Sequence, residues 1–457
     1  MKKTFLILII LFAFVSVNAQ YRYSVRAMGY GGMVVAMGDK HTETLTKRQK
    51  GFVFGGEIDF EFKPTGKQKW QHFWRFPTLG LGVVGIDLGN PKMLGQAIAV
   101  YPYLLVPVVD TRYFMMNYKV GAGVSFITKY YGNTPHGENT LHGINGEPYQ
   151  ANAVIGSLLN IYLNTGFNFE FPINDQFSIT ADLGYSHMSN GSVITPNKGF
   201  NILYAQVGAK YSFINCPECK NLVKNPAYEL PYDFMMNIGV SGGVRQLYYQ
   251  DKKFFFVGDL HIGMTAPLAK WYALGGGFDF FADGAFNQRY LPESNKFKNS
   301  FHRYYTPENK LENKFCFGIS INNEFIIGRF TGIFDWGIYL YNPLKNLQPG
   351  DDVVKNKDKN GNIVPFKKGI FYKYNIDNED GWNYFRLGLR YRVWDNLFVS
   401  VNLKTHLQKA EMITFGIGYY LPFARAGKHA TMKKELKNYY FYRFGKKEKT
   451  DFPTPWQ

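Results

Sequence analysis

The sequence predicts an all-β protein, a transmembrane antiparallel β-barrel organised as two consecutive eight-stranded units. The chain has 457 residues, of which 46% are hydrophobic and 18% aromatic, and 47 are glycines. Its longest later apolar run, residues 97–109, is interrupted by Pro102 and Pro107 and falls short of the roughly 18 residues that a membrane helix needs. Many aromatic residues without such a helix are typical of membrane barrels. A secreted soluble β-sandwich is the alternative left open.

The first residues predict export. Lys2 and Lys3 precede an apolar segment, residues 5–15, and Ala19 ends a small-residue cleavage motif. This pattern is that of a secretory signal peptide, residues 1–19, so we expect the mature chain to begin at Gln20. No cysteine stands at the cleavage point, and a lipid anchor is therefore not expected.

Alternating polarity then predicts sixteen strands. Those of the first unit lie near 21–36, 50–64, 76–89, 94–107, 113–128, 154–171, 176–189 and 200–213. Those of the second lie near 233–248, 252–267, 270–283, 312–328, 331–342, 381–394, 396–406 and 410–423.

Connection lengths orient these strands. Bacterial outer-membrane barrels have long external loops and short periplasmic turns. If the first strand runs outward, the long connections 37–49, 129–153, 284–311 and 343–380 are all external, and tight turns at 174–175, 269–270, 329–330 and 395–396 are all periplasmic. The connection 63–73 is longer than this rule expects. One sixteen-stranded barrel is the alternative topology.

The hairpin at 176–213 carries the candidate chemistry. Side chains alternate along a strand, so His187 and Ser189 continue the apolar face that contains Phe177, Leu183 and Tyr185. Asn201 continues the apolar face of the following strand. A His, a Ser and an Asn therefore converge at the outer end of a lipid-facing surface, which indicates acyl transfer on a lipid.

At these residues the chain resembles the lipid A deacylase family of the PagL type, whose members include proteins called acyloxyacyl hydrolases. The family pattern, His-x-Ser-Asn followed by Pro-Asn-x-Gly, is present as His187-Met188-Ser189-Asn190-Gly191 and Pro196-Asn197-Lys198-Gly199. The second half, including residues 339–343 and 403–423, resembles longer members from Bacteroidetes-like organisms. The resemblance implies an outer-membrane barrel that removes an ester-linked acyl chain from lipid A of lipopolysaccharide.

The resemblance also implies roles. Ser189 matches the family nucleophile and His187 its general base, while Asn190, Gly191 and Asn197 are candidate oxyanion donors. The third member, an acid in the family, falls at Asn201. An amide can hold the imidazole tautomer but lacks the charge that stabilises imidazolium.

The predicted domains follow from these assignments. They are the signal peptide 1–19, a catalytic barrel 20–215, a connector 216–231, a catalytically silent barrel 232–423 and a basic periplasmic tail 424–457. The connector contains Cys216-Pro217-Glu218-Cys219, which closes a small disulfide loop if oxidised. In the second barrel, His406 lies on the polar face of its strand and Gln408 occupies the place of a nucleophile, so we interpret His406 as structural.

The net charge of the chain bears on the partners that it can bind. The formal net charge of +17 suits contacts with lipid A phosphates, and the export signal argues against nucleic acid. We expect no cofactor and no metal site, and the oligomeric state is left open.

Two other functions remain: an outer-membrane phospholipase and a non-catalytic porin or structural barrel. A porin needs a wide polar lumen, whereas the lumen-facing set Asn160, Tyr162, Asn164, Asn168 and Glu170 suits a filled, narrow one.

Overall fold

Sixteen antiparallel strands form two closed eight-stranded barrels. The computed structural model describes residues 21–35, 52–64, 69–92, 94–133, 152, 154–213, 232–246, 254–284, 311–342, 382–406 and 410–423. The predicted signal peptide, the connector with its two cysteines and the basic tail lie outside these residues. The two-barrel fold class is confirmed, and the sixteen-stranded alternative is wrong.

The first barrel contains eight strands and one short helix. They are β1 (Tyr21–Val34), β2 (Val53–Pro64), α1 (Lys69–Phe73), β3 (Thr78–Asp87), β4 (Gln96–Asp110), β5 (Met115–Ile127), β6 (Leu159–Pro172), β7 (Phe177–Ser189) and β8 (Phe200–Ser212). Each strand pairs with the next, and β8 pairs back with β1, Ala209 opposite Ala27. This long-range pairing closes the barrel without the second half of the chain.

The second barrel repeats the plan. Its elements are β9 (Phe234–Arg245), β10 (Phe255–Ala269), β11 (Tyr272–Asp283), a 3-10 turn (Leu311–Lys314), β12 (Phe315–Ile327), β13 (Phe330–Tyr341), β14 (Asn383–Arg392), β15 (Leu397–Thr405) and β16 (Ala410–Phe423). Strand β16 pairs with β9, Ile417 opposite Val240. We call the end with the β1–β2, β7–β8, β9–β10 and β15–β16 connections the loop end, and the opposite end the turn end.

The predicted strand limits agree with the structure to within three residues, with one exception. Strand β6 begins at Leu159 rather than near 154. The Ser157 hydroxyl donates to the Leu159 carbonyl at 3.0 Å, and Asn160 Nδ2 donates to the Ser157 carbonyl at 2.9 Å. Such local bonds give the backbone an alternative to the sheet ladder, and the strand starts late.

Both barrels have a filled interior. In the first, Arg26 pairs with Asp59 at 2.8 Å and with Asp182 at 3.2 Å, and Lys119 pairs with Glu57 at 3.0 Å. In the second, buried pairs include Arg386–Asp335 and Arg390–Glu324, both at 2.6 Å. Buried charges need such partners. The predicted lumen set at 160–170 is buried too, so neither lumen is the wide channel that a porin requires.

Helix α1 explains the connection that was too long for a periplasmic turn. It contacts the turn end of the second barrel, where Trp70 packs against Gly328, and the residue after the helix, Trp74, donates from Nε1 to the Ile326 carbonyl at 2.6 Å. The Trp74 and Trp271 rings lie 5.3 Å apart. The segment between β2 and β3 is therefore long because it forms a contact between the first barrel and the second. Among the residues described, no helix combines the length and apolarity needed to cross a bilayer.

Candidate active site

The candidate site lies at the loop end of β7 and β8. Their antiparallel register places His187 directly opposite Asn201, and Ser189 is the last residue of β7. Opposed residues on one face of a sheet have Cβ atoms close enough for side chains to meet. Below them, Leu183 and Leu203 on the same outward faces are exposed, as expected of lipid-facing residues.

Three side chains form a continuous hydrogen-bonded series. His187 Nε2 lies 2.8 Å from Ser189 Oγ, and His187 Nδ1 lies 2.7 Å from Asn201 Oδ1. Ser189 and Asn201 are only 7% and 3% exposed. If Nδ1 carries the proton, it donates to the amide oxygen and leaves Nε2 to accept from the serine hydroxyl. This is the arrangement of a serine nucleophile, its base and an orienting group.

A fourth residue, Tyr185, was not predicted. Its hydroxyl donates to Asn201 Oδ1 at 2.5 Å, so the amide oxygen accepts from both Tyr185 and His187. In the alternating pattern the aromatic ring of Tyr185 counts with the apolar face of the strand, which gives it no polar role. The available signal was its position two residues before His187, which places both side chains on one side of the strand.

The segment between β7 and β8, residues 190–199, is called the site loop below. The Asn190 backbone N–H donates to Asn197 Oδ1 at 2.9 Å, and Asn190 Nδ2 donates to Ser157 Oγ at 2.7 Å. The Asn197 Nδ2 atom is inaccessible to solvent and makes no hydrogen bond within the described part of the chain. Of these candidate oxyanion donors, the Asn197 side chain thus has an unused N–H beside the Ser189 strand end, while the Asn190 N–H is engaged.

Two glycines complete the loop geometry. Gly199 has φ +75°, and a Cβ there would lie 2.6 Å from His187 Cε1. Only glycine lets the backbone pass so close to the imidazole ring. Gly191, the remaining predicted oxyanion candidate, has φ +62° and packs against Ile413 of the second barrel.

His406 lies in a different setting. It is buried, and its Nε2 lies 2.9 Å from the Tyr339 hydroxyl. Its Nδ1 lies 3.7 Å from Glu411. In the part of the chain that the structure describes, no group of three His, Cys, Asp or Glu side chains is arranged to hold a metal ion.

Comparisons with solved structures return outer-membrane barrels. The outer membrane enzyme PagL is 12% identical, with 40% of this chain and 97% of that chain covered and a TM-score of 0.25. Neisserial surface protein A is 10% identical over 42% of this chain and 97% of its own, with a TM-score of 0.27. The N-terminal barrel of OprF from Pseudomonas aeruginosa is 12% identical over 42% and 100%, with a TM-score of 0.22. A comparison with curated proteins found no match.

Family models match both barrels. Residues 54–210 match the model described as lipid A 3-O-deacylase (PagL). Residues 232–350 and 363–424 match the model described as the C-terminal domain of acyloxyacyl hydrolase. Together the two models cover more than half of the chain; the first begins in β2 and leaves β1 unmatched, and the second extends from β9 to β16. The chain belongs to the PagL family of lipid A deacylases, with the acyloxyacyl hydrolase C-terminal domain as its second barrel.

Proposed function

We propose that this protein is an outer-membrane serine esterase that removes an ester-linked acyl chain from lipid A, with Ser189 as nucleophile. The observation that carries the proposal is the series Ser189–His187–Asn201 on the lipid-facing side of a barrel. The proposal is also supported by the family models, which describe hydrolases of acyl esters.

The first half-reaction forms an acyl-enzyme. Ser189 Oγ attacks the ester carbonyl carbon while its proton passes to His187 Nε2, and the carbonyl oxygen becomes an oxyanion. Collapse of this tetrahedral intermediate breaks the ester C–O bond, and the departing lipid A oxygen takes the proton from Nε2. General acid–base catalysis of this kind contributes about 10²–10⁴-fold to rate.

The second half-reaction returns the enzyme to its starting state. Water attacks the acyl-enzyme carbonyl and gives a proton to His187 Nε2. The second tetrahedral intermediate then expels Ser189 Oγ, which takes that proton back, and the fatty acid is released. No cofactor is required for either step.

The oxyanion needs a hydrogen-bond donor. The Asn197 Nδ2 group suits this role because it is near the Ser189 strand end and has no partner among the described residues. An unpartnered buried donor in a native protein calls for an explanation, and a developing oxyanion supplies one. Loss of one such donor typically costs about 2.7–4 kcal/mol of transition-state stabilisation.

Asn201 takes the place of the family acid and acts as an orienting group. Its oxygen accepts from His187 Nδ1–H and thereby holds the tautomer that leaves Nε2 free to act as the base. The hydroxyl of Tyr185 donates to the same oxygen and keeps the amide from turning its NH₂ group toward the imidazole. The neutral amide stabilises imidazolium less than a carboxylate does.

The position of the site suits a substrate held in the membrane. Lipopolysaccharide occupies the outer leaflet of a Gram-negative outer membrane, and the site faces lipid at the loop end. Because the substrate's acyl chains are already in the bilayer, the ester reaches Ser189 without entering the barrel. Basic residues at the loop end of the barrels favour contact with lipid A phosphates, whereas those of the tail 424–457, expected in the periplasm, do not reach them. Export by residues 1–19 is part of this proposal.

The test is substitution of the nucleophile. Purified wild-type protein, Ser189→Ala and Ser212→Ala are incubated with lipid A in detergent micelles, and released fatty acid and residual lipid A are measured by mass spectrometry. Ser212 is the control because it is a half-buried serine at the turn end of β8. We expect Ser212→Ala to hydrolyse lipid A at the wild-type rate and Ser189→Ala to show none.

Two results would contradict the proposal. One is release of fatty acid by folded Ser189→Ala at the wild-type rate. The other is wild-type protein that cleaves phospholipid in vesicles free of lipid A but leaves lipid A intact. That result would identify a phospholipase.

A further inference from the structure

The site loop is attached to the second barrel as well as to the first. The Gln246 backbone N–H donates to the Val193 carbonyl at 3.1 Å, and the Thr195 N–H donates to Gln246 Oε1 at 3.1 Å. Ser192 Oγ donates to the Ala410 carbonyl at 2.7 Å. Three hydrogen bonds therefore join the loop that follows Ser189 to the loop end of the other barrel.

Packing at Ile413 gives an independent sign of this contact. Ile413 lies on the outward face of β16 but is only 5% exposed, whereas Ile417 on the same face is 57% exposed. Gly191 of the site loop covers it, since a Cβ on Gly191 would lie 2.0 Å from Ile413 Cδ1 and 2.2 Å from Cγ1. Ile413, at a position that would otherwise face lipid, thus packs against the site loop.

The loop conformation needs outside support. Ser192 has φ +69°, a left-handed conformation that is strained for a non-glycine residue and persists only where the surroundings enforce it. The Ser192 hydroxyl donates its hydrogen bond to the Ala410 carbonyl of the second barrel. On its other side the loop is held by Ser157, through Asn190. The two barrels hold the candidate oxyanion residues between them.

The turn end carries a second contact between the barrels, where Trp70 of α1 packs against Gly328 and the following Trp74 donates to the Ile326 carbonyl. The two barrels are therefore in contact at both ends. The second barrel is therefore placed to fix the site loop without carrying a nucleophile of its own.

We propose that Gln246 and Ile413 of the second barrel are positioning residues for lipid A hydrolysis, which hold the site loop so that Asn197 meets the oxyanion. This inference rests on the proposed function. It assigns the second barrel a role in catalysis that its sequence, interpreted as silent, did not suggest. A positioning contact that is realised in the transition state lowers kcat and kcat/KM together when it is lost.

The first experiment substitutes Gln246 in the full-length protein. Gln246→Ala removes the acceptor for the Thr195 N–H, whereas Gln246→Glu keeps an acceptor oxygen. Loss of one hydrogen bond corresponds to about a 3- to 10-fold lower kcat, and we expect KM to stay within about twofold. Gln246→Glu is expected to retain most of the wild-type kcat.

Hydrogen–deuterium exchange of residues 190–199 provides a readout that needs no substrate. Gln246→Ala should speed exchange of the Thr195 amide, and Gln246→Glu should not. If the Thr195 amide of Gln246→Ala exchanges at the wild-type rate, Gln246 does not hold the site loop and the inference is overturned. Wild-type protein that releases no fatty acid would instead overturn the proposed function, and with it the catalytic meaning of the contact.

The second experiment is a double-mutant cycle between Gly191 and Ile413. Gly191→Ala places a methyl group against Ile413 and should lower kcat by at least about 10-fold, given a clash at positive φ. Ile413→Ala removes Cδ1 and Cγ1 and leaves its own Cβ 3.4 Å from the new methyl. The double variant should therefore recover activity relative to Gly191→Ala alone. Residues in contact couple in this way, and distant ones do not.

Ile417→Ala is the matched control, because Ile417 shares the face of Ile413 but faces lipid. It should neither change kcat nor rescue Gly191→Ala. Equal impairment of Gly191→Ala with and without Ile413→Ala would overturn the inference, provided that Ser189→Ala remains inactive and the variants show the compact, boil-sensitive mobility of folded barrels.

Discussion

Asn201 offers the sharpest test of the proposed chemistry, because its single oxygen accepts two hydrogen bonds. Asn201→Ala removes both and leaves two donors, the Tyr185 hydroxyl and the His187 N–H, without their acceptor. A net hydrogen bond contributes about 0.5–1.5 kcal/mol, and a buried donor left unsatisfied costs about 1–3 kcal/mol. Taking about 3–4 kcal/mol in all, kcat/KM should fall by about 10²–10³.

Asn201→Asp is the informative companion. It keeps the shape and the acceptor oxygen and adds the charge that the family acid supplies. Hydrogen bonds to an ionised acceptor are roughly twice as strong as neutral ones, so imidazolium is better stabilised. Burial of the carboxylate, at a position 3% exposed, opposes this, and the Tyr185 hydroxyl offsets part of the cost. We expect activity at or above that of wild type at neutral pH, lost on acidification as the carboxylate takes up a proton.

The assay is the initial rate of fatty acid release from lipid A micelles for wild type, Asn201→Ala and Asn201→Asp across pH. Asn396→Ala is the matched control, since Asn396 also bonds a tyrosine hydroxyl, that of Tyr419 at 3.2 Å, but at the turn end of the second barrel. Heat-modifiable gel mobility verifies that each variant is folded. If Asn201→Ala matches wild type at every pH, the orienting role of Asn201 is refuted.

Three further predictions follow from the same geometry. Tyr185→Phe should lower kcat by about 5-fold, the worth of roughly 1 kcal/mol in one hydrogen bond; an unchanged kcat would show that Asn201 is held without it. Gly199→Ala should lower kcat by more than about 10-fold because its methyl group meets the His187 ring at a positive φ, whereas Gly85→Ala, with open space around it, should not. A fragment of residues 20–215 should still form a compact barrel with boil-sensitive gel mobility, since β8 closes on β1; failure to do so would mean that closure depends on the second barrel.

The sequence by itself determined the strands, their faces and the core of the candidate site. Period-two alternation requires no tertiary information, because successive side chains on a strand point to opposite sides. The same rule places His187 and Ser189 on one face. A hairpin is a local pairing, so the strand that returns from the site loop brings Asn201 opposite His187. Interrupted apolar runs and the connection lengths predicted a membrane barrel and its direction.

The tertiary structure alone decided how the strands close and what surrounds the site. Alternation is the same in one large barrel and in two small ones, and only the pairing of β8 with β1 distinguishes them. Side-chain direction within a face depends on rotamers and neighbours, which is why Tyr185 was assigned to the apolar surface rather than to Asn201. The packing of Gly191 against Ile413 brings together residues that are far apart in the chain. Such contacts leave no periodic trace in the sequence, because they depend on where two separately closed barrels meet.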